Sequence, residues 1–431
     1  MKSNHWRVLL PAALLALGPL LLANGVAFAD EGCTTDKCHA TLLKGKVVHP
    51  VAETCETCHE SVSTPHPKKG QKTFKLTQEP PELCNTCHDA FGKKKTVHPP
   101  AAQGMCTTCH DPHSSKEEKL LTRPLKELCE TCHADHADFK VLHGPVSTGD
   151  CTACHAPHES DTKALLVKED DQLCFTCHAD MQEAIKKKNV HPALQSGCTS
   201  CHNPHGSPFP RMLAEEGPKL CFVCHSDKAD EIAKATVPHP ALDSDKGCVS
   251  CHSPHASDND KMLLGPQKEV CATCHTDIIT SNMTVFHAND GKCSRCHNPH
   301  GSQNEHLLRG ECPTDIYVPY SEHEYELCFS CHKRELVQYP ETSFATNFRD
   351  GERNLHYLHV NSKEKGRSCV LCHHLHGTAG PKLIAESVPF GKWNLPLKFA
   401  KTETGGSCAP GCHKPQAYDR NSPVKKGAKS G

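Results

Sequence analysis

The amino-acid sequence predicts a mostly irregular, elongated chain of short α-helices with little β structure, whose core is not built from ordinary side chains. Three observations carry this. Only 36% of the 431 residues are hydrophobic and 5% aromatic, too few for a multi-domain core of that length. Thirty-one residues are cysteine, and Cys-x-x-Cys-His occurs thirteen times. The motifs alternate between two kinds in a unit of about 45 residues. Without the motifs the composition reads as nearly disordered. With them, the missing apolar volume must come from a group that the cysteines and histidines hold.

The intact motifs are Cys55-x-x-Cys58-His59, Cys84-x-x-Cys87-His88, Cys106-x-x-Cys109-His110, Cys129-x-x-Cys132-His133, Cys151-x-x-Cys154-His155, Cys174-x-x-Cys177-His178, Cys198-x-x-Cys201-His202, Cys221-x-x-Cys224-His225, Cys248-x-x-Cys251-His252, Cys271-x-x-Cys274-His275, Cys293-x-x-Cys296-His297, Cys328-x-x-Cys331-His332 and Cys369-x-x-Cys372-His373. Two stretched versions are Cys33-Thr-Thr-Asp-Lys-Cys38-His39 and Cys408-Ala-Pro-Gly-Cys412-His413. Together they use thirty of the thirty-one cysteines and leave Cys312. This is the attachment sequence of c-type haem (heme c). Residues three and four apart share a helix face, so two thiols reach the two vinyl groups on one porphyrin edge and the next histidine sits below the iron. The stretched forms keep the second cysteine beside the histidine, so only the first thioether needs a bulged backbone. Zinc would not require a histidine after every second cysteine. A disulfide is the competing reading for Cys33/Cys38 and Cys408/Cys412. Cys312 reads as a free buried thiol, with a cross-link to another subunit as the other option. About fifteen covalent haems would then form a stacked core, and folding should depend on them.

One kind of motif follows leucine, as at Leu83, Leu128, Leu173, Leu220 and Leu327; the other often follows glycine and runs into Pro-His. A serine-rich turn and an apolar pair close the unit, as at Leu120-Leu121, Leu165-Leu166, Met212-Leu213 and Leu263-Leu264. Seven pairs result: Cys33 with Cys55, Cys84 with Cys106, Cys129 with Cys151, Cys174 with Cys198, Cys221 with Cys248, Cys271 with Cys293 and Cys328 with Cys369, with Cys408 alone. Such a chain is quasi-one-dimensional. The clearest helices are expected over 171–188 and 219–235. Near residue 306 the motif spacing lengthens, and all six tyrosines lie beyond it. The expected organisation is a doubled-motif region over 30–305 with twelve haems, a divergent module over 306–415 with three, and a disordered tail over 416–431.

Two further histidines recur in each unit. One precedes the second motif, usually as His-Pro: His49, His98, His143, His191, His239, His287 and His359. The other follows it: His66, His113, His158, His205, His255, His300 and His376. They supply fourteen sixth ligands for fourteen irons, and the Cys408 haem can draw on His323, His356 or His374, with His356 the one selected. A ring three residues after a proximal histidine cannot reach the far face of its own haem, so His113 and its counterparts must serve a neighbour. The six methionines are not periodic. Bis-histidine iron lacks the thioether that raises His/Met potentials, so potentials should be low.

Lys2 and Arg7, an apolar run from Val8 to Ala23, and Ala27-Phe28-Ala29 read as a signal peptide over 1–29, with a mature start at Asp30. The run contains Pro11, Gly18 and Pro19 and is short for a membrane span. The mature chain is therefore expected to be exported and to lack a transmembrane segment. Its formal charge of −2 becomes more negative with export and with two propionates per haem. Nothing in the pattern calls for nucleic acid.

The run Leu173-Cys174-Phe175-Thr176-Cys177-His178, His191-Pro192, Gly197-Cys198-Thr199-Ser200-Cys201-His202 and Pro204-His205-Gly206-Ser207 resembles the repeat unit of the doubled CxxCH family of multihaem c-type cytochromes. The likeness covers nearly all of 33–300 and, more loosely, 328–376. Some members are similar to haem-rich subunits of porin–cytochrome conduits, others to extracellular cytochromes. The resemblance implies electron transfer in anaerobic respiration, toward acceptors outside the cell such as metal oxides. It also implies redox partners: inner-membrane quinol-linked or periplasmic cytochromes and outer-membrane conduit components. The location would be periplasmic, outer-membrane-associated or extracellular. The leading reading is a conduit with no catalytic residue. The alternative is a multihaem reductase of nitrite, hydroxylamine or a sulfur oxyanion, with one open haem in the C-terminal module. Self-association into longer wires is an additional reading.

Overall fold

The computed structural model describes residues 33–35, 38–133, 138–278, 283–287 and 291–424; the expected signal peptide, His136 and the chain end from 425 lie outside the described residues. The chain divides into two bodies, one ending at Thr131 and the other beginning at Cys132. Both consist mostly of irregular segments with short helices and small antiparallel sheets. Among the described residues the longest helix is Ser226–Lys234, nine residues, and no helix is long and apolar enough to cross a membrane.

The two kinds of motif have two local structures. A first-kind motif ends a short helix: Glu82–Asn85, Leu125–Glu130, Asp170–Cys174, Gly217–Phe222, Gln267–Ala272 and Glu326–Phe329 each contain or reach its first cysteine. Pro124, Pro218 and Pro266 stand at the starts of three of these, where a fixed φ suits the first turn. A second-kind motif opens its own single turn, α-helical at Cys106–Cys109 and Cys369–Cys372 and 3₁₀ at Cys55–Thr57, Cys151–Ala153, Cys198–Ser200 and Cys293–Arg295.

The helices expected over 171–188 and 219–235 are each broken in two, as Asp170–Cys174 with Ala179–Ala184 and Gly217–Phe222 with Ser226–Lys234. The break falls on the motif histidine. His178 and His225 have φ of −100° and −105° with ψ of 55° and 48°, so the backbone leaves the helix at the ring-bearing residue.

Most strands are two-residue straps between successive repeats. Val47–Val48 pairs with Ser114–Ser115 in the first body. In the second, Val141–Leu142 pairs with Gly206–Ser207, Asn189–Val190 with Ala256–Ser257, and Val285–Phe286 with Gly377–Thr378, while Val237 bridges Ser302. The first strand of each strap leads into the earlier recurring histidine of one repeat. The second follows the later histidine of the next repeat. The backbone bonds continue into these histidines: His49 N–H donates to His113 O at 2.8 Å and His191 N–H to His255 O at 2.8 Å.

Side-chain core is confined to the C-terminal part. Of the seven buried hydrophobic residues among the described ones, only Ala256 precedes Tyr325. The others form two clusters, Tyr325/Val337/Val360 and Leu371/Val388/Leu397. Tyr325 is fully buried, and its hydroxyl donates to Val318 O at 2.9 Å. Asn354, also fully buried, accepts from Tyr357 N–H at 3.2 Å and donates to Leu336 O at 3.0 Å and Tyr339 O at 2.9 Å. It thereby caps the helix Leu355–Val360 and anchors it to the core.

The expected tail differs at its start. Gln416–Asp419 forms the outer strand of a three-stranded sheet with Gly405–Cys408 and Ala400–Lys401. Tyr418 packs edge-on against Phe348 with ring centres 5.0 Å apart. Asp350 Oδ1 accepts the N–H groups of Asp419 and Val424 at 3.2 and 2.9 Å. The polar, lysine-rich end of the chain conceals a strand held by backbone pairing and one aromatic contact.

Candidate haem-binding sites

Most motifs are closed loops. His178 N–H donates to Cys174 O at 3.0 Å, and the same bond recurs in ten further intact motifs at 2.9–3.1 Å. The stretched N-terminal motif keeps it: His39 N–H donates to Cys33 O at 3.0 Å across two inserted residues. The C-terminal one does not. Cys408 ends a strand, and His413 N–H points to Pro410 O at 3.5 Å.

The first cysteines of the two motifs in a unit are in side-chain contact for Cys33/Cys55, Cys84/Cys106, Cys174/Cys198, Cys221/Cys248, Cys271/Cys293 and Cys328/Cys369. In the haem-free polypeptide such a pair holds its protons unequally. The hydrogen bond from Cys221 lowers Cys248 to about 6, and that from Cys271 lowers Cys293 to about 6. Burial and the neighbouring Asp171 carboxylate, whose Oδ1 is 3.2 Å from Sγ, push Cys198 up to about 12. A thiolate is the stronger nucleophile, so the vinyl-adding groups are placed unequally along the chain. Cys312, the one cysteine outside the motifs, lies in hydrogen-bond contact with Cys328, which raises it further than burial does.

The histidines form close pairs. In the first body His39 stands opposite His66, His49 opposite His88, and His59 opposite His113. In the second the pairs are His143/His178, His155/His205, His191/His225, His202/His255, His239/His275, His252/His300, His287/His332, His297/His376 and His356/His373. Ring centres are 5.9–6.5 Å apart, and in ten of the twelve pairs the planes lie within 27° of parallel. A crossing rule emerges. The first-kind proximal histidine of one repeat faces the His-Pro-type histidine of the repeat before it. The second-kind proximal histidine faces the later histidine of the repeat after it. Among the twelve described pairs, those at the ends depart from this: His39/His66 and His356/His373 are each made within one repeat. His98, His110, His133 and His158 belong to the repeats on either side of the division at Thr131.

These pairs fit the iron of a porphyrin. An imidazole nitrogen bonds a first-row metal at about 2.0 Å with its ring centre about 1 Å behind, so two imidazoles on opposite faces of one iron are about 6 Å apart. Among the described residues, no group of three or more His, Cys, Asp or Glu is placed to hold a metal by itself. Two facing imidazoles need a macrocycle to supply the other four nitrogens. Burial lowers His49, His59, His191, His255, His300, His332 and His376, and takes His356 down to about 4, which keeps the ligand nitrogens unprotonated.

Ring orientation is set by a carbonyl at Nδ1, which leaves Nε2 for the metal. His110, His155, His202, His252, His297 and His373 donate to the carbonyls of Lys119, Ala164, Arg211, Lys261, His306 and Lys382 at 2.7–3.0 Å. Each acceptor lies nine residues on and has φ between 51° and 59°, and the next residue is left-handed too. The strained pair closes a loop in which Ser253 N–H donates to Met262 O at 2.7 Å and Leu264 N–H to Cys251 O at 2.9 Å. The apolar pair is visible in the sequence, but its use is not. In the fifth unit the equivalent pair is Met262-Leu263, one residue before the expected Leu263-Leu264. The trace in the sequence is the residue nine positions after the second-kind histidine, in six copies. Distal rings are held alike: His143, His239 and His287 donate to Pro204 O, Pro299 O and Leu375 O at 3.0, 2.9 and 3.1 Å.

The ligand set expected for the C-terminal module is rearranged. His356, assigned to the Cys408 haem, faces His373 at 6.5 Å. His359, expected as a sixth ligand, stacks on Phe348 with ring centres 5.8 Å apart. The helix Leu355–Val360 aims its earlier histidine at the motif turn packed against the same core.

Paired thiols, an adjacent histidine and a facing imidazole, repeated along a chain, define a multihaem c-type cytochrome, a protein of electron transfer. The chain belongs to the doubled CXXCH motif family, whose pattern matches residues 49–93, 98–138, 143–183, 191–230, 239–280 and 287–336. Those six doubled motifs amount to twelve covalent haem sites. No curated protein matches the chain. Each matched segment opens on a His-Pro-type histidine and ends after the next first-kind motif, so the pair His49/His88 and its counterparts fall within one segment. The thiol contacts follow a frame shifted by one motif.

Proposed function

We propose that the protein is an electron conduit of fifteen bis-histidine c-type haems, exported from the cell that makes it and working toward acceptors outside the cell in anaerobic respiration. The observation that carries this is the crossing rule: at each described repeat boundary the two imidazole pairs draw on both repeats. Haem supplies one-electron Fe(III)/Fe(II) carriage when bound. The polypeptide fixes where each iron sits. Within each body, thiol contacts inside a unit and imidazole pairs across units set neighbouring sites beside one another, and tunnelling falls steeply with edge separation. Paired imidazoles without methionine favour low potentials, tuned by burial and hydrogen bonding.

The partners of this reading are other redox proteins, quinol-linked or periplasmic cytochromes on one side and outer-membrane conduit components or the acceptor on the other. Electron paramagnetic resonance of the oxidised holoprotein tests it: all-low-spin iron supports the conduit, whereas an abundant high-spin signal supports the reductase alternative. Protease shaving of intact cells tests location, since digestion would place the protein at the surface.

A further inference from the structure

We infer that Cys408, Cys412 and His413 form the first-kind motif of an eighth unit, and that His359 is the second axial ligand of its haem. This rests on the conduit reading and reaches beyond the segments that match the family, which stop at residue 336.

The crossing rule makes the assignment. A first-kind histidine faces the His-Pro-type histidine of the preceding repeat, as His332 faces His287 and His275 faces His239. For His413 the preceding repeat is the seventh, and its histidine at that position is His359. The same rule explains His356. By the rule the second-kind His373 would face a later histidine beyond Cys408; among the described residues His356 takes that place at 6.5 Å.

The geometry of the histidines agrees, with Cys408 ending a strand instead of a helix. His359 donates Nδ1–H to Leu355 O at 2.6 Å, which leaves Nε2 for a metal as in His143, His239 and His287. His413 is among its electrostatic neighbours and is oriented by Lys414 O, 2.7 Å from Nδ1. The competitors fail on the same criteria. His374 accepts Gly377 N–H at its Nδ1, 3.4 Å away, which leaves the proton on Nε2. His323 is exposed. His356 is already paired. The capped helix Leu355–Val360 therefore offers His356 and His359, three residues apart on one face, to two different irons.

The test uses the full haem-loaded protein. His359→Ala should keep all fifteen haems by intact mass but convert one of fifteen irons to high-spin, with one carbon monoxide bound per chain on reduction. His359→Met should stay low-spin with one haem raised in potential, which separates lost ligation from lost folding. His323→Ala and His374→Ala should leave every iron low-spin. In a Cys408→Ala/Cys412→Ala background, which should weigh fourteen haems, adding His359→Ala should create no high-spin iron. A high-spin iron in that background would assign His359 to another haem and overturn the inference. An all-low-spin His359→Ala protein would overturn it too. A wild-type mass of fourteen haems would remove the Cys408 haem, and the inference with it, while leaving the conduit reading intact; a mass with few haems would remove both.

Discussion

His297 and His376 face each other with ring centres 6.2 Å apart and planes 14° from parallel, although they belong to successive repeats. The later histidine of a repeat thus does not serve the motif it adjoins. His255→Ala should open the iron at Cys198/Cys201/His202, whose ring it faces at 6.1 Å, and not the one at Cys248/Cys251/His252. One high-spin ferric iron per chain is expected, and labelling that iron before peptide mapping should place it on the 198–202 peptide. Label on the 248–252 peptide would contradict the crossing rule.

The left-handed turn gives a second prediction. Lys261 has φ of 57°, and its carbonyl receives His252 Nδ1–H at 2.8 Å. Lys261→Gly keeps the carbonyl and removes the Cβ strain, so local stability should hold or rise. Lys261→Ile should cost about 1–2 kcal/mol. The readout is native-state exchange of the Ser253 and Leu264 amides, which that turn protects; protection should fall by roughly 5- to 30-fold for isoleucine.

Haem removal should act unevenly. With Ala256 the one buried hydrophobic residue before Tyr325 among the described residues, the straps have little side-chain support. A chain exported without haem attachment should retain exchange protection around the Tyr325 and Leu371 clusters and lose it at Val141–Leu142 and Asn189–Val190. Uniform protection along the haem-free chain would show that the macrocycles are not the core of the repeats.

Asp419 supplies a pH prediction. Its Oδ2 accepts from Thr404 Oγ1 at 2.5 Å, and its Oδ1 accepts the N–H groups of Ser422 and Asn421 at 2.9 and 2.8 Å; these bonds, Thr404 first, hold the carboxyl below its usual value. A depressed folded pKa adds stability above the unfolded value near 3.8 and loses it as pH falls through the lower folded one. The C-terminal sheet should therefore weaken only below about pH 4. Asp419→Asn should remove that dependence, as followed by carboxyl-carbon NMR in the wild type and exchange of the Arg420 amide in both.

Much of this was legible in the sequence because the chemistry is periodic. The motif fixes thiols and histidine by spacing alone, and the impossibility of His113 ligating its own haem was a steric argument from three residues of separation. Which neighbour it served was not legible, because the strap joining Val47–Val48 to Ser114–Ser115 has no two-residue signature that a sequence can show. The turn at Lys119 and Leu120 was hidden for another reason: neither residue advertises a positive φ as glycine would. His356 and His359 lie three residues apart on one helix, so composition could not rank them; the core contacts that orient the helix decide it. The helices over 171–188 and 219–235 were overextended because the pattern is helical on both sides of a histidine that itself is not.

The central claim is that iron porphyrins are tethered along the whole chain and closed on both faces by imidazole. The most direct test is electron paramagnetic resonance on exported protein whose haem content has been fixed by intact mass. Fifteen haems per chain are expected, with every ferric iron low-spin. Several irons in the high-spin state would contradict it.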